Sequence, residues 1–414
     1  MQNPDRTTPR SKHWRFAEVR IGRFSILLLS VFGAAGVNAE ESHWDNFQIH
    51  GFASQGAVNT SDNRFFGDSP QTSFDFIEVG VNASLQFNPS VLLSAQLLSR
   101  HTGDLYDGTP ALDYALADIT LASSMTRTLG LRVGRIKNPL GLYNETRDVP
   151  FTHPGIFLPQ VVYYDKVRNL MLASDGLMLY GQLYGDAGNV SVTLGGGQAV
   201  IDENVEWTYL GNDFDGDLEP NGATGLVSLW YTTRDDRLKL GLSGAMLSMQ
   251  FDPGSHSPLN AGATDLIYWI ASIQYNAEDW SLSAEYAREP LEWLGYGPFI
   301  PDRKGTGEGY YLQGVYRVRP DLELMLSYQE GFSDRNDRDG TRQSALTGGF
   351  SPPFNSFSKI WSAGLRWDID RHWMVRAEYQ WHHGTFILSP RENPDPSQLQ
   401  EDWSLFAVQA AFRF

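Results

Sequence analysis

The sequence predicts an all-β fold, a closed transmembrane antiparallel β-barrel of sixteen strands. Three observations predict it: sixteen stretches alternate apolar and polar residues, their connections switch strictly between long and very short, and the last stretch ends in Phe414. A period of two places successive side chains on opposite faces of a sheet. An even number of strands lets the last strand pair with the first, so that no backbone edge is left unpaired.

The predicted strands follow one another from residue 46 onward. In the second strand, Ile77, Val79 and Val81 point one way, whereas Glu78 and Asn82 point the other. The short connections are rich in Asn, Asp, Pro and Ser, which favour tight turns. The sixteen predicted strands are residues 46–57, 73–87, 91–102, 111–123, 127–136, 175–185, 188–198, 225–233, 237–250, 264–276, 279–289, 308–319, 321–331, 358–369, 372–386 and 402–414.

Aromatic residues favour a membrane barrel over a soluble β-sandwich. Alternation alone suits both folds, because the apolar face of a sandwich forms its core. In a transmembrane barrel, aromatic girdles stand at the two ends of an outward apolar band, and strands of eight residues tilted by about 40° cover roughly 20 Å of membrane. The aromatic residues on the apolar face near strand ends are Trp280, Tyr286, Tyr310, Tyr316, Trp361, Trp367, Trp373 and Trp381.

The beginning of the chain predicts a cleaved secretory signal peptide at residues 1–39, followed by the barrel at residues 40–414. An apolar run at residues 24–39 follows a region rich in Arg and ends in the small-residue pattern Val37-Asn38-Ala39. A membrane anchor fits less well, because a spanning helix needs about 20 apolar residues.

Charge and composition exclude several classes of function. Without residues 1–39, 26 basic and 47 acidic side chains remain, a net charge of −21, so nucleic-acid binding through phosphate contacts is not expected. The chain has no Cys, which excludes disulfides and thiolate metal sites. No GxSxG, HExxH or phosphate-loop motif is present, so we expect no enzyme. A barrel hydrolase whose catalytic Ser and His come from different strands is the alternative.

The connection at residues 137–174 is too apolar for a mobile surface loop. It carries four prolines and a long apolar stretch that includes Phe151, Phe157, Val161 and Tyr164. Such a segment must pack against something, and the interior of a sixteen-stranded barrel is wide enough to hold it. We therefore expect this connection to fold inward as a constriction loop.

The start of this connection, VGRIKNPLGLY at residues 133–143, resembles an element found at the same place in sixteen-stranded bacterial outer-membrane porins. The nearest likeness is to the phosphate-selective porin-like group, whose known members are trimeric diffusion channels. The last strand resembles the C-terminal signal that barrel-insertion machinery reads, with Phe414 at its end. These resemblances imply a homotrimer in the bacterial outer membrane, surrounded by lipid and lipopolysaccharide.

Lumen-facing charges predict the selectivity of such a channel. Basic and acidic wall residues nearly cancel, and Glu378 follows Arg376 where the phosphate-selective group would continue a file of arginines. The sequence therefore predicts passive diffusion of small hydrophilic solutes or ions with weak selectivity, through a mixed-charge constriction. The candidate pore-lining residues are Arg100, Arg132, Lys137, Glu145, Arg147, Asp148, Lys166, Arg168, Glu285, Arg366, Arg376 and Glu378.

Other functions stay open on the sequence. Tyr114, Tyr180 and Tyr184 lean inward by parity and suggest a substrate-specific channel for a sugar, an anion or an aromatic acid. Adhesion or a structural role in the outer membrane is a further alternative, by analogy with other barrels.

The fourth long connection is strongly acidic and suggests a structural calcium site. Asp213, Asp215 and Asp217 stand at alternate positions, and carboxylate oxygens suit calcium. The pattern departs from an EF-hand, because Leu218 stands in place of the turn glycine. A solvated loop, or one bridged to lipopolysaccharide by divalent cations, is the alternative. No other cofactor is expected.

Overall fold

The computed structural model describes residues 46–414, which form one closed antiparallel β-sheet. The expected signal peptide lies outside the described residues. The strands are β1 (Phe47–Thr60), β2 (Ser73–Asn88), β3 (Val91–His101), β4 (Ala111–Ser123), β5 (Arg127–Lys137), β6 (Ala173–Gly185), β7 (Gly188–Ala199), β8 (Gly216–Pro220), β9 (Thr224–Thr232), β10 (Leu238–Pro253), β11 (Ala263–Asn276), β12 (Trp280–Leu294), β13 (Arg303–Arg319), β14 (Leu322–Phe332), β15 (Phe357–Asp368), β16 (Trp373–Gly384) and β17 (Asp402–Arg413).

These seventeen strands fill sixteen positions around the barrel. The short strand β8 pairs with the end of β10 from Met249 to Pro253, and β9 pairs with the part of β10 from Lys239 to Met246. The predicted sixteen-stranded barrel is thus confirmed. Strand β8 was not among the strands predicted from the sequence, and it lies in the acidic connection between β7 and β9.

The barrel closes where β17 pairs with β1. The register runs from Phe52 opposite Arg413 to Thr60 opposite Leu405. At the end of this seam, the backbone amide of Phe414 donates to the carbonyl oxygen of Gly51 over 3.0 Å. Neither terminal strand therefore offers an open edge, as closure in a membrane requires.

The two faces of each strand differ as the alternation predicts. In β6, Leu177 and Leu179 are exposed on the outer face, whereas Met178 between them is buried. The indoles of Trp361, Trp373 and Trp381 are about half exposed on the same outer face of their strands. Apolar side chains therefore cover the outside of the barrel, and the opposite face of the wall carries the polar side chains.

The connections alternate in length, so that two ends of the barrel can be distinguished. Tight turns join β2 to β3, β4 to β5, β6 to β7, β9 to β10, β11 to β12, β13 to β14 and β15 to β16 at what we call the turn end. Eight long connections lie at the opposite loop end. We name two of them: the third connection, residues 138–172, and the fourth connection, residues 200–223.

The helices of the described chain all lie in long connections: α1 (Arg168–Leu172), α2 (Glu203–Leu210) and α3 (Thr341–Leu346). Helix α2 is capped at its start by Asp202, whose carboxylate accepts the Val205 amide over 3.1 Å, and at its end by Gly211, with φ of 83°. Both are standard cap residues. Within residues 46–414, no helix is long and apolar enough to cross a membrane.

Candidate functional site

The third connection is packed along most of its length. It enters from Lys137 at the end of β5 and leaves through α1 into β6. Phe157 packs with Phe66 and Phe76, at ring-centroid distances of 5.8 Å each. The sequence expectation that these apolar residues pack is thus met. Those buried in this connection are Leu140, Tyr143, Phe151, Ile156, Phe157, Leu158, Val161, Val162, Tyr163, Tyr164, Val167, Leu170, Met171 and Leu172.

Glu285 of β12 is one attachment point for the third connection. Its carboxylate accepts the backbone amide of Leu142 over 2.8 Å and the hydroxyl of Tyr163 over 2.5 Å. The wall hydroxyls of Ser272 and Tyr311 donate to the same carboxylate. Only 2 % of Glu285 is exposed. A buried carboxylate with this many donors fixes the start of the connection to the wall.

Glu378 and Arg376 of β16 form a second attachment point. Glu378 accepts the amide of Ile156 over 2.6 Å, and Arg376 donates to the carbonyl oxygen of His153 over 3.1 Å and to that of Gly155. Both side chains are buried. The middle of the connection therefore satisfies its backbone polar groups with charged wall groups rather than with water.

Close backbone approach to β13 adds a third attachment. A Cβ atom built on Gly309 would lie 2.0 Å from the carbonyl oxygen of Val161, and one on Gly331 of β14 would lie 2.8 Å from the Val161 side chain. The Tyr268 hydroxyl of β11 donates to the Val162 carbonyl oxygen over 2.6 Å. Glycine at position 309 is therefore required for this packing.

A buried ion-pair cluster joins Asp148 and Arg168 of the third connection to β4 and β5. Lys137 lies 2.7 Å from Asp113 and also pairs with Asp148, which in turn pairs with Arg168. Burial of the guanidinium lowers the pKa of Arg168 to about 10.

A neighbouring set of ion pairs is centred on Asp165. Its carboxylate lies 3.1 Å from Arg100 and 3.4 Å from Arg147, and Arg100 also lies 3.4 Å from Glu78. Each of these cations has an acidic partner, so that the set has little net charge. Such pairing is what buried ions require.

The candidate pore-lining residues fall into two groups by exposure. Those that reach solvent to some extent are Arg132, Glu145, Lys166 and Arg366. The ones that are at most 9 % exposed are Arg100, Lys137, Arg147, Asp148, Arg168, Glu285, Arg376 and Glu378. The residues of the second group either belong to the third connection or hold it to the wall. A role in lining a pore therefore stays a prediction chiefly for the four residues that reach solvent.

The wall toward the turn end presents a different surface. Arg132 lies 2.9 Å from Asp118 and 3.8 Å from Glu145 of the third connection. The Tyr180 hydroxyl donates to Asp118 over 2.7 Å. On β9 and β10, the Lys239 ammonium lies 4.3 Å from the centre of the Trp230 ring. These side chains are partly exposed, unlike the buried groups nearer the loop end.

Trp230 was not among the candidate site residues predicted from the sequence. Its parity could have identified it, because Val227 and Leu229 are exposed on the outer face of β9 and Trp230 falls on the opposite face. The partners of the buried charges could not have been identified this way. Glu378 and Ile156, for example, are joined only by the closed fold.

The calcium expectation for Asp213, Asp215 and Asp217 is not supported. No group of three or more His, Asp or Glu residues among residues 46–414 is arranged to hold a metal ion. Strand β8 extends the chain, and the Asp215 carboxylate accepts the backbone amide of His256 over 2.7 Å. Of the three carboxylates, only Asp217 lies on β8, opposite Asp252 of β10, so the three are not gathered around one point.

The fold therefore defines the class of closed sixteen-position antiparallel β-barrels. No protein-family model and no curated protein matches the chain. The outer-membrane-expressed OmpT of Vibrio cholerae is similar in fold, with a TM-score of 0.54 at 12% identity over 91% of this chain and 100% of that one. An in-vitro folded trimer form of OmpT has a TM-score of 0.54 at 12% identity, covering 89% and 99%. OmpF of Salmonella typhi, in complex with daunomycin, has a TM-score of 0.54 at 13% identity, covering 89% and 97%.

Proposed function

We propose that this protein is an outer-membrane porin, a passive diffusion channel for small hydrophilic solutes or ions with weak selectivity. The observation that carries the proposal is the division of the wall. Apolar side chains cover its outer face, while the polar face binds an apolar connection through Glu285, Glu378 and Arg376. We infer from these contacts that the third connection folds inward and narrows a water-filled barrel.

Weak selectivity follows from the pairing of the exposed charges. Arg132 is balanced by Asp118 and Glu145, and Arg366 lies 3.1 Å from Asp368. Paired charges create a transverse field in the lumen without a strong excess of either sign. Diffusion through such a lumen requires no catalytic group.

The environment and assembly of the protein are part of the same proposal. A closed barrel with an outward apolar band suits a bilayer, and the solved barrels of similar fold include outer membrane proteins, one of them in a trimer form. We propose a homotrimer in the bacterial outer membrane, inserted through recognition of the strand that ends in Phe414 and in contact with lipopolysaccharide.

Conductance in planar bilayers tests the proposal. The purified protein should give stepwise single-channel currents, and deletion of residues 151–164 should raise their size severalfold because the constriction is removed. Deletion of residues 343–350, which lie in an exposed part of another long connection, is the matched control and should leave the step size near that of the intact chain. A reversal potential near zero in a salt gradient would support weak selectivity.

Two results would overturn the proposal. Intact protein that gives no stepwise current would favour an adhesive or structural role. Equal conductance with and without residues 151–164 would contradict the assignment of the third connection as the constriction.

A further inference from the structure

Helix α2 of the fourth connection contacts parts of the barrel that lie far apart around its wall. At the start of the helix, the Asn204 side-chain amide donates to the carbonyl oxygen of Leu105 over 2.9 Å. Leu105 lies in the second connection, residues 102–110 between β3 and β4. At the end of the helix, the Tyr209 hydroxyl donates to Glu289 over 2.7 Å, and the Trp293 indole donates to the Tyr209 carbonyl oxygen over 3.0 Å. Both partners of Tyr209 belong to β12.

The order of the strands places these contacts on opposite sides of the barrel. Strand β12 stands seven positions from β4 in the closed wall of sixteen positions, which is nearly halfway around. The eight residues of α2 span about 12 Å along the helix axis. A helix of this length that reaches the second connection with one end and β12 with the other lies across the opening at the loop end.

The eighth connection, residues 385–401 between β16 and β17, holds the same helix from a third direction. Arg391 donates to the side-chain oxygen of Asn204 over 2.9 Å and lies 2.9 Å from the Glu203 carboxylate. This connection is halfway around the wall from β7, where the fourth connection begins. Asn204 is only 2 % exposed, so its amide is a buried link between the second, fourth and eighth connections.

The third connection lies against α2 as well. The Thr208 hydroxyl donates to the carbonyl oxygen of Lys166 over 3.1 Å. Val205 and Leu210 are buried in the same apolar cluster as Tyr164 of the third connection. The helix therefore packs on the segment that we propose as the constriction, and it covers that segment with apolar side chains.

The chain on either side of α2 joins the wall at neighbouring positions. Ala199 ends β7 and Gly216 begins β8, and these two strands are neighbours in the sheet. Between the helix and β8, Gly211 has φ of 83°, and a Cβ atom built on it would meet nothing within 4 Å. Residues 211–213 are exposed. Residues 200–215 can therefore turn away from the opening about two adjacent attachments, without unpairing a strand.

We propose that residues 200–215 form a lid that closes the loop end of the barrel and opens by turning about these two attachments. This inference rests on the proposed function, because a lid regulates passage only if the barrel conducts. The arrangement described above is the closed one, and the bonds of Asn204 to the second and eighth connections hold it closed. The third connection sets the size of each current step, whereas the lid sets the fraction of time for which the channel conducts.

Single-channel recording of an Asn204→Ala variant tests the lid. The substitution leaves the Leu105 carbonyl oxygen and the Arg391 guanidinium without their partner on α2. The fraction of time in the open state should rise about tenfold, as expected for the loss of a buried hydrogen-bonded side chain. The size of the current step should not change, because the third connection is intact. Asn212→Ala is the matched control, since the exposed Asn212 side chain accepts the amide of the adjacent Asp213. It should behave as the intact protein does.

A reversible cross-link tests closure directly, and the absence of Cys from the chain makes it specific. In the double variant Glu203→Cys, Arg391→Cys, a bismaleimide with a disulfide in its spacer can join the two positions that the ion pair now links. Cross-linking should abolish the current, and a reductant should restore it by cleaving the spacer. The single variant Arg391→Cys, treated with the same reagent, is the control and should continue to conduct.

The outcomes separate the lid from the channel itself. Absence of current from the intact protein and from every lid variant would overturn the proposed function. If the intact protein conducts, the lid is overturned either by an unchanged open fraction in Asn204→Ala or by full current after cross-linking. A larger current step in Asn204→Ala with an unchanged open fraction would place α2 in the constriction and would also overturn the lid.

Discussion

The third and fourth connections differ in how they satisfy their backbone polar groups. In the third, wall carboxylates provide the acceptors, as Glu378 does for the Ile156 amide. In the fourth connection, the acceptors are side chains of the connection itself. Asp202 accepts the Val205 amide, and Glu206 accepts the Leu218 amide over 3.3 Å. An apolar connection thus depends on the barrel wall for its shape, whereas an acidic one can be organised by its own side chains.

Among the substitutions that compare the two connections, Glu378→Ala should lower the free energy of unfolding most. The substitution removes the acceptor of a buried amide of the third connection, and we expect the free energy of unfolding to fall by about 3 kcal/mol. Urea unfolding from lipid vesicles measures this. Asp213→Ala, in the exposed part of the fourth connection, should change it by no more than about 0.5 kcal/mol. Equal effects of the two substitutions would mean that the wall does not hold the third connection.

Gly309→Ala should cause the second-largest loss of stability. Its methyl group would meet the Val161 carbonyl oxygen, so the third connection must shift, at a cost of about 1–3 kcal/mol. Gly305→Ala on the same strand is the control, because a Cβ atom there meets nothing within 4 Å. Equal unfolding midpoints for the two variants would argue against close packing of Val161 on β13.

Asp202→Ala should have a smaller effect, confined to the fourth connection and its neighbours. Loss of the helix cap of α2 costs about 1 kcal/mol, and the contact of Asp202 with Asn169 is lost as well. Asp202→Asn keeps a good cap and should stay close to the unsubstituted protein. Limited proteolysis within α2 would report the difference. Equal cleavage of the Ala and Asn variants would indicate that the cap contributes little.

The smallest effect should be a change in the stability of the fourth connection with pH. Burial, and then the nearby Asp213 and Asp217, raise the pKa of Glu206 to about 7. The folded connection therefore favours the protonated carboxyl. Its contribution to stability is complete below the unfolded pKa near 4.5 and is lost as the pH rises through about 7. Proteolysis of the fourth connection should become faster over this range. Glu206→Gln should flatten the profile, and an unchanged profile would assign the titration to another group.

Alternation of apolar and polar residues predicted the strands well wherever one face of the strand is apolar. It failed where a segment is a strand only because its backbone pairs with a neighbouring strand. The sequence placed the start of one strand at Glu308, yet β13 begins at Arg303 because Arg303 and Lys304 pair with β12. These residues have no apolar alternation to identify them. Helix α2 was also missed, although Asp202 and Gly211 are recognisable cap residues.

The candidate site was predicted in part. The apolar composition of the third connection correctly indicated packing, since a buried segment must be apolar wherever its side chains meet no polar partner. The pairing of Glu285 with Leu142, or of Arg100 with Asp165, depends on the register of many strands between them. A single sequence holds no signal for such long-range partners.

The seam between β1 and β17 has a consequence for the order of events in biogenesis. Because Phe52 pairs with Arg413, nearly the whole chain must have left the ribosome before the sheet can join its ends. Contacts between residues so distant in sequence make folding slow, since a long loop must close before the contact is formed. Until then, two strands with unpaired amides and carbonyls are vulnerable to aggregation. We expect a holding chaperone to protect the chain during that interval.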